Sequence, residues 1–543
     1  ASSRRHTRSR LLSRGLGDVY KRQGVLLARP WVAVGFALFF AGGAGMAYMA
    51  LDKELVPPED RGTLRILASG PDGVGIGYMD RQTRKIEDIL APVLENGEAS
   101  LVSVKVGNWD PNRSFLSVPL VDWSQRERSQ QEIAADLTAQ RAASPGARVG
   151  IWGGNSLNLS TWRSGLRVVL LGNDYDEIYA AAKTYVAAIE ERIPELTRPR
   201  IDFDPTQPQL SVKIDRRRAA DLGVDFDGLA VTLRAMIDGD ELIDLNIDDE
   251  AVPILLESAS GGINDPSDLV NLYVTAEGGN LIPLSSVVTL TEEGVATELG
   301  RQAQRRAIEI DIERPDDVPL QTAVDELRAL GSDVLPDNVS LIFRGEAAQL
   351  EESSKAAMIT YAIALAVIFL VLAAQFEGFT SALVVTLIVP FGVAAAIFAL
   401  LLTGTSLNIY SQIGLVLLIG LMAKNSVLVV EFADQLRDRG ASVREAIERG
   451  AKRRFRPVMM TLISTMLGAL PLILSMGAGA EARASIGWVV FGGLALSAVF
   501  TLYLTPALYL LLAPLAKARA AETQRLRDEL DHADSIDSAA AHR

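Results

Sequence analysis

Five stretches run without a charged side chain: Pro30–Leu51, Ala356–Phe376, Gly378–Ala423, Pro457–Ala480 and Ala484–Ala516. A helix rises 1.5 Å per residue, so about 20 apolar residues cross a hydrocarbon layer of roughly 30 Å. The run from Gly378 is too long for one crossing, and TGTSLN at 403–408 supplies a turn that divides it. The pattern predicts six membrane helices, near 31–50, 356–376, 379–402, 407–430, 457–479 and 485–513. Six buried helices of a soluble protein would not need uncharged runs this long.

Between the first and second of these, the apolar spacing alternates between periods of two and of about 3.6. TLRILAS, LVSVKV, FLSVPLV and RVGIW read as strands, with helices over 78–94 and 129–143. The order β-α-β-β-α-β is that of a split βαβ, or ferredoxin-like, unit, spanning about 62–150. A second unit starts at LRVVLLG and resumes at AIEIDIE, giving 160–205 with 300–346. Residues 206–299 lie between its halves, beginning with the strand QLSVKI. The fold class is thus a six-helix membrane domain over 31–50 and 356–513, plus α+β external subdomains carrying an insertion.

Charge sets the orientation. Of 543 residues, 22% are charged, with a net charge of −14. Basic residues crowd the segment 1–30 (Arg4, Arg5, Arg8, Arg10, Arg14) and the link 431–456 (Arg437, Arg439, Arg444, Arg449, Lys452, Arg453, Arg454, Arg456). With the partly basic tail 517–543, six crossings place these regions on one side, the cytoplasm, and the acidic region 52–354 on the other. The chain has no cysteine and three histidines, His6, His532 and His542, all near its ends. Thiolate metal sites are excluded, and a histidine site or serine–histidine triad is disfavoured. In the link, Gly440 closes one helix and Ser442 with Glu445 forms a capping-box pattern for a short helix ending near Gly450. Residues 1–23 are arginine- and serine-rich and read as a foreign or chimeric stretch, with a transit peptide the alternative.

Lys424, in GLMAKNSVLVVEF, is the charge that needs explaining. A mid-bilayer charge costs about 2.5–3.5 kcal/mol on insertion scales. It either snorkels to the head groups or pairs with carboxylates inside a protein interior. Asn425 beside it adds a polar side chain that a lipid-facing lysine does not need. None of the uncharged runs holds an Asp or Glu.

GLMAKNSVLVVEFA, RRFRPVMMTLISTMLGALPLILSMGAGAEARASIG, the closing LTPALY and ELVPPEDRG after the first helix resemble the C-terminal half of a resistance-nodulation-division (RND) efflux permease. The hydrophobe/amphiphile multidrug branch is the closest in pattern, and the resemblance runs from about Trp31 to Leu515. It implies the seventh to twelfth of twelve spans, two porter subdomains and a docking subdomain over 206–299. It also implies a proton relay of Lys424, Asn425, Arg454 and Thr461, facing two aspartates of a first half that this chain does not encode. By itself Arg454 is one of a basic cluster, and Thr461 an ordinary helix threonine bonding its own backbone. The resemblance lines a substrate pocket with Thr63, Arg65, Leu67, Val104, Val106, Trp109, Phe115 and Ser117. Multidrug members usually carry phenylalanines here, where this chain has GNWDPNRS at 107–114.

The implied activity is proton-driven export of small hydrophobic or amphiphilic compounds across the bacterial inner membrane, with both termini cytoplasmic. The implied partners are the missing N-terminal half, a homotrimer, a periplasmic adaptor, an outer-membrane channel and membrane lipid, with no nucleic acid. No cofactor is expected beyond the proton-motive force. Alternatives are a heavy-metal or lipid exporter, a protein-export accessory subunit, or a membrane-anchored enzyme or scaffold. For the last, the sequence offers no nucleophile–base pair, phosphate loop or metal cluster.

Overall fold

The computed structural model describes residues 27–107, 110–140, 146–154, 166–203, 205, 207–237, 239–256, 265–296, 298–315 and 317–515. The first membrane helix, α1 (Pro30–Met49), opens on a proline, whose missing N–H costs nothing in a first turn. The chain then enters a four-stranded antiparallel sheet: β1 (Thr63–Ser69), α2 (Ile76–Glu95), β2 (Ser103–Val106), β3 (Arg113–Pro119), α3 (Gln130–Gln140) and β4 (Arg148–Gly153). Its order is β2-β3-β1-β4, so β3 lies between the two strands joined through α2. Leu64, Ile66, Ala68, Leu116 and Val118 are buried on one face. There Thr83 of α2 donates to Ser114 at 2.7 Å, which marks the helix-covered side. The ELVPPEDRG stretch is pinned by buried Gln130, which accepts from the N–H groups of Arg61 and Thr63 at 3.1 and 3.0 Å and donates to the Glu59 carbonyl at 3.2 Å.

The second sheet starts with β5 (Leu166–Gly172), α4 (Tyr175–Arg192) and β6 (Thr197–Ile201). Residues 202–300, with Pro71–Val74, form a separate compact unit. It contains β7 (Gln207–Ile214), α5 (Arg216–Asp221), α6 (Phe226–Ile237), β8 (Asp240–Ile247), β9 (Glu250–Leu256), α7 (Pro266–Val270), β10 (Tyr273–Thr275), β11 (Leu281–Pro283) and β12 (Val288–Val295). Its core gathers Ala219, Val224, Leu229 and Leu284, and the β8–β9 turn places Asp248 and Asp249 at positive φ. The chain returns through β13 (Arg301–Gln302), β14 (Arg305–Glu313), α8 (Leu320–Val334) and β15 (Ser340–Arg344) to complete a sheet of order β13-β14-β5-β15, with β6 also on β14.

β15 runs through Gly345, at φ 64°, directly into α9 (Glu346–Phe376). There follow α10 (Phe379–Thr386), α11 (Val389–Thr403), α12 (Ile409–Asp438), α13 (Val443–Ile473) and α14 (Ala480–Leu512). Among the described residues six helices are long and apolar enough to cross a membrane, α10 and α11 counting as one. That crossing is broken at Leu387–Ile388, before Pro390, which cannot donate into the preceding turn.

Helix ends differ from the sequence expectation. The short helix ending at Gly450 and the span expected at 457–479 are one helix of 31 residues, which stops at Ile473. Gly450 does not terminate it but lies against α12, where a β-carbon would sit 3.5 Å from the Val429 carbonyl and from Ala433. The 480–484 link is likewise the first turn of α14. Helices α12 and α14 approach at glycines: a β-carbon on Gly414 would meet Val489 at 3.0 Å, and one on Gly493 would meet Leu418 at 2.5 Å. Close backbone approach supplies van der Waals packing where hydrocarbon offers no hydrophobic drive.

Candidate functional site

On α12 the buried sides of the helix are taken up by its neighbours. Ile413, Leu417, Gly420 and Lys424 recur at i, i+4, i+7 and i+11 and form one exposed stripe. Lys424 stands at its C-terminal end and makes no ion pair among the described residues. Asn425, 100° further round the helix, is buried at 6% exposure. It meets Thr461 of α13, whose hydroxyl lies 3.5 Å from the Asn425 Oδ1 and 2.9 Å from the Val458 carbonyl. A hydroxyl has one proton, and the shorter bond to its own helix takes it. Arg454 lies with its guanidinium 4.9 Å from the Phe432 ring centroid, a cation–π contact between α13 and α12. Its Nε is buried without a hydrogen-bond partner. The structure places Asn425 beside Thr461 and ties Arg454 to the same pair of helices, while Lys424 faces outward from them.

A polar cluster that sequence reasoning missed lies three turns along α12. Tyr509 of α14 donates to Asp434 at 2.5 Å, and Ser381 of α10 donates to the other carboxylate oxygen at 2.7 Å. Three helices meet on one carboxylate, and their spacing in the chain carries no signal of it.

The pocket candidates divide by pleat. Thr63, Arg65 and Leu67 share the open face of the first sheet with Phe115 and Ser117, since Arg65 pairs with Ser117 and Leu67 with Phe115. Val104 and Val106 do not join them. They pair with Leu116 and Ser114, which puts them on the helix-covered face, and β2 offers Ser103 and Lys105 to the open one. A one-residue change of register exchanges the faces, and the apolar spacing of LVSVKV does not fix it. Trp109 lies outside the described residues. The open face holds one aromatic that sequence reasoning passed over, Trp152 of β4, directly opposite Arg65. Only the β1–β4 register could have revealed it.

Comparison with known proteins matches this architecture. A family model described as AcrB/AcrD/AcrF covers residues 4–513, starting inside the basic segment set apart above. An uncharacterized transporter of Haemophilus influenzae is 28% identical over 484 residues, covering 87% of this chain and 46% of that protein. The crystal structure of a heavy metal efflux pump superposes with a TM-score of 0.74 at 23% identity, covering 91% of this chain and 52% of that one. The chain thus spans about half the length of the relatives it matches. A family match over nearly the whole chain, with six membrane helices and a sheet-containing region between the first two, makes it a multipass membrane protein of the AcrB/AcrD/AcrF family of RND permeases, a family of transporters.

Proposed function

We propose that this chain is the second half of a proton-driven permease exporting hydrophobic and amphiphilic compounds from the bacterial inner membrane and periplasm. Lys424 carries the reading. An exposed cation at the end of an apolar stripe on a membrane helix, unpaired among the described residues, is unfavourable as it stands. A complementary half presenting two carboxylates to that stripe would neutralise it. Protonation of those carboxylates would release Lys424, and Asn425 and Thr461 beside it would re-pair, biasing α12 against α13. The functional unit in this reading is a trimer working with a periplasmic adaptor and an outer-membrane channel. Residues 206–299 form its docking subdomain, and both termini are cytoplasmic.

Co-expression with a complementary six-span half in a drug-sensitive host tests it. Lys424→Ala should abolish resistance while membrane levels stay normal. Unchanged resistance would remove the lysine from the coupling path. Export of a heavy metal is the second reading, favoured by the structural match to a heavy metal efflux pump. Resistance to metal salts but not to amphiphiles in the same host would select it.

A further inference from the structure

Helices α12 and α14 run side by side in one register. Gly414 lies against Val489, Leu418 against Gly493, and Asp434 accepts from Tyr509, each pair 75 positions apart in the chain. The same offset sets Ser426 of α12 level with Thr501 of α14, about two turns before the Asp434–Tyr509 bond. Thr505 stands about one turn before that bond.

These three hydroxyls share a deficit. Ser426, Thr501 and Thr505 are 0%, 1% and 0% exposed, and among the described residues their oxygens have no hydrogen-bond partner. A threonine inside a membrane helix ordinarily bonds back along its own helix, as Thr360, Thr386, Thr403 and Thr465 do here at 2.8–2.9 Å. Thr501 and Thr505 do not. Pro506, directly after Thr505, lies inside α14 and has no N–H for the preceding turn. In membrane helices such turns are completed by neighbouring hydroxyls and ordered water. A buried hydroxyl without a partner is costly, and one bound water, taking about three hydrogen bonds, relieves several hydroxyls together.

The spacing suits water. By helical rise Ser426 and Thr501 lie about 6 Å before Thr505, and Thr505 about 6 Å before Tyr509. Hydrogen-bonded oxygens stand about 2.8 Å apart, so one or two waters close each gap. At one end Ser426 directly follows Asn425, which lies beside Thr461. At the other, Asp434 is half-buried, so its carboxylate reaches both Tyr509 in the interior and the surface of the bundle.

We propose that Ser426, Thr501, Thr505 and Tyr509 hold a chain of bound water that opens at Asp434 and carries protons between the level of Asn425 and the cytoplasm. Each oxygen accepts one proton and gives up another, while Asp434 alternates between carboxylate and carboxylic acid at the mouth, so no co-reactant is consumed. The water chain stands on the packing alone. Its use as a proton route rests on the permease reading.

Radiolytic footprinting of the purified full chain tests the water, because hydroxyl radicals formed on bound water oxidise the side chains beside it. Tyr509 and Tyr185 are both fully buried, and Tyr185 gives its hydroxyl to the Leu327 carbonyl. Tyr509 should oxidise several-fold faster than Tyr185. Valine keeps the shape of threonine without its hydroxyl. Thr501→Val with Thr505→Val should therefore bring Tyr509 down to the Tyr185 rate with no loss of thermal midpoint, and Thr501→Ser with Thr505→Ser should keep the label. Tyr509 as protected as Tyr185, or labelled equally with and without the two hydroxyls, overturns the proposal. For the route, the co-expressed halves are placed in vesicles with a trapped pH dye. The valine pair should lower proton flux several-fold, and an undiminished flux overturns the route. Should the label follow the hydroxyls while the parent halves move no protons, the water chain stands and the permease reading falls.

Discussion

Tyr509 of α14 gives its phenolic proton to Asp434 of α12 at 2.5 Å, across 75 positions of chain. The tyrosine is fully buried, so its hydroxyl has no water to fall back on. Tyr509→Phe should destabilise the chain in detergent by about 1–3 kcal/mol, the cost of leaving a charged acceptor short of a donor. Asp434→Asn should cost less, since an amide oxygen still accepts. Equal unfolding midpoints for Tyr509→Phe and the parent chain would show that the bond contributes nothing.

Gly477, in the link between α13 and α14, has φ 93° and lies under Trp123, whose Nε1 would be 2.3 Å from a β-carbon there. Gly477→Ala should therefore lower stability twice over, by backbone strain and by displacing the indole, at about 1–3 kcal/mol in total. Trp123→Ala in the same chain should recover the steric part and leave the strain. A double-mutant cycle on thermal midpoints reads this directly, and strict additivity would refute the contact.

Gly492 faces Ala399 of α11, where a β-carbon would come within 2.2 Å. Gly492→Val should force α14 away from α11 and lower the folded yield in membranes, overpacking costing about 1–3 kcal/mol. Gly468, with nothing near its β-carbon position, is the internal control. If valine is as well tolerated at 492 as at 468, the tight crossing is not present in solution.

Asp60 accepts from Arg126 and from the N–H groups of Gln130 and Gly62, each of these two at 3.0 Å. Burial alone would raise its pKa, but Arg126 and the backbone donors together hold it below the ordinary value of 3.8. A lowered folded-state pKa means that folding favours the ionised form. The stabilisation is complete well above 3.8 and is lost as pH falls from there through the lowered value. Asp60→Asn should flatten this part of the acid-unfolding curve. An unchanged slope of stability with pH would exclude Asp60 as its source.

Much of the fold was legible because its cause is local. Uncharged run length counts the membrane helices, since a charge in hydrocarbon is costly wherever the rest of the chain lies. Strand alternation likewise marked β1 and β3, whose buried positions alternate without fault. Helix ends were less legible: Gly450 reads as a stop signal in sequence, but it serves as the contact where α13 meets α12.

The site divides in the same way. Lys424, Asn425, Arg454 and Thr461 were named from a motif, but which of them touch depends on how α12 and α13 rotate about their axes. That rotation is set by packing, and it turned Asn425 inward to Thr461 and Lys424 outward. The sequence by itself determined that the chain is a membrane protein with a strand- and helix-containing region between its first two membrane helices, because hydrophobic run length and period are properties of neighbouring residues. Only the tertiary structure decided that Val104 and Val106 lie on the helix-covered face of the first sheet, that Trp152 stands opposite Arg65, and that Asp434 joins three helices. Those follow from strand register and helix packing, which are settled between residues far apart in the chain.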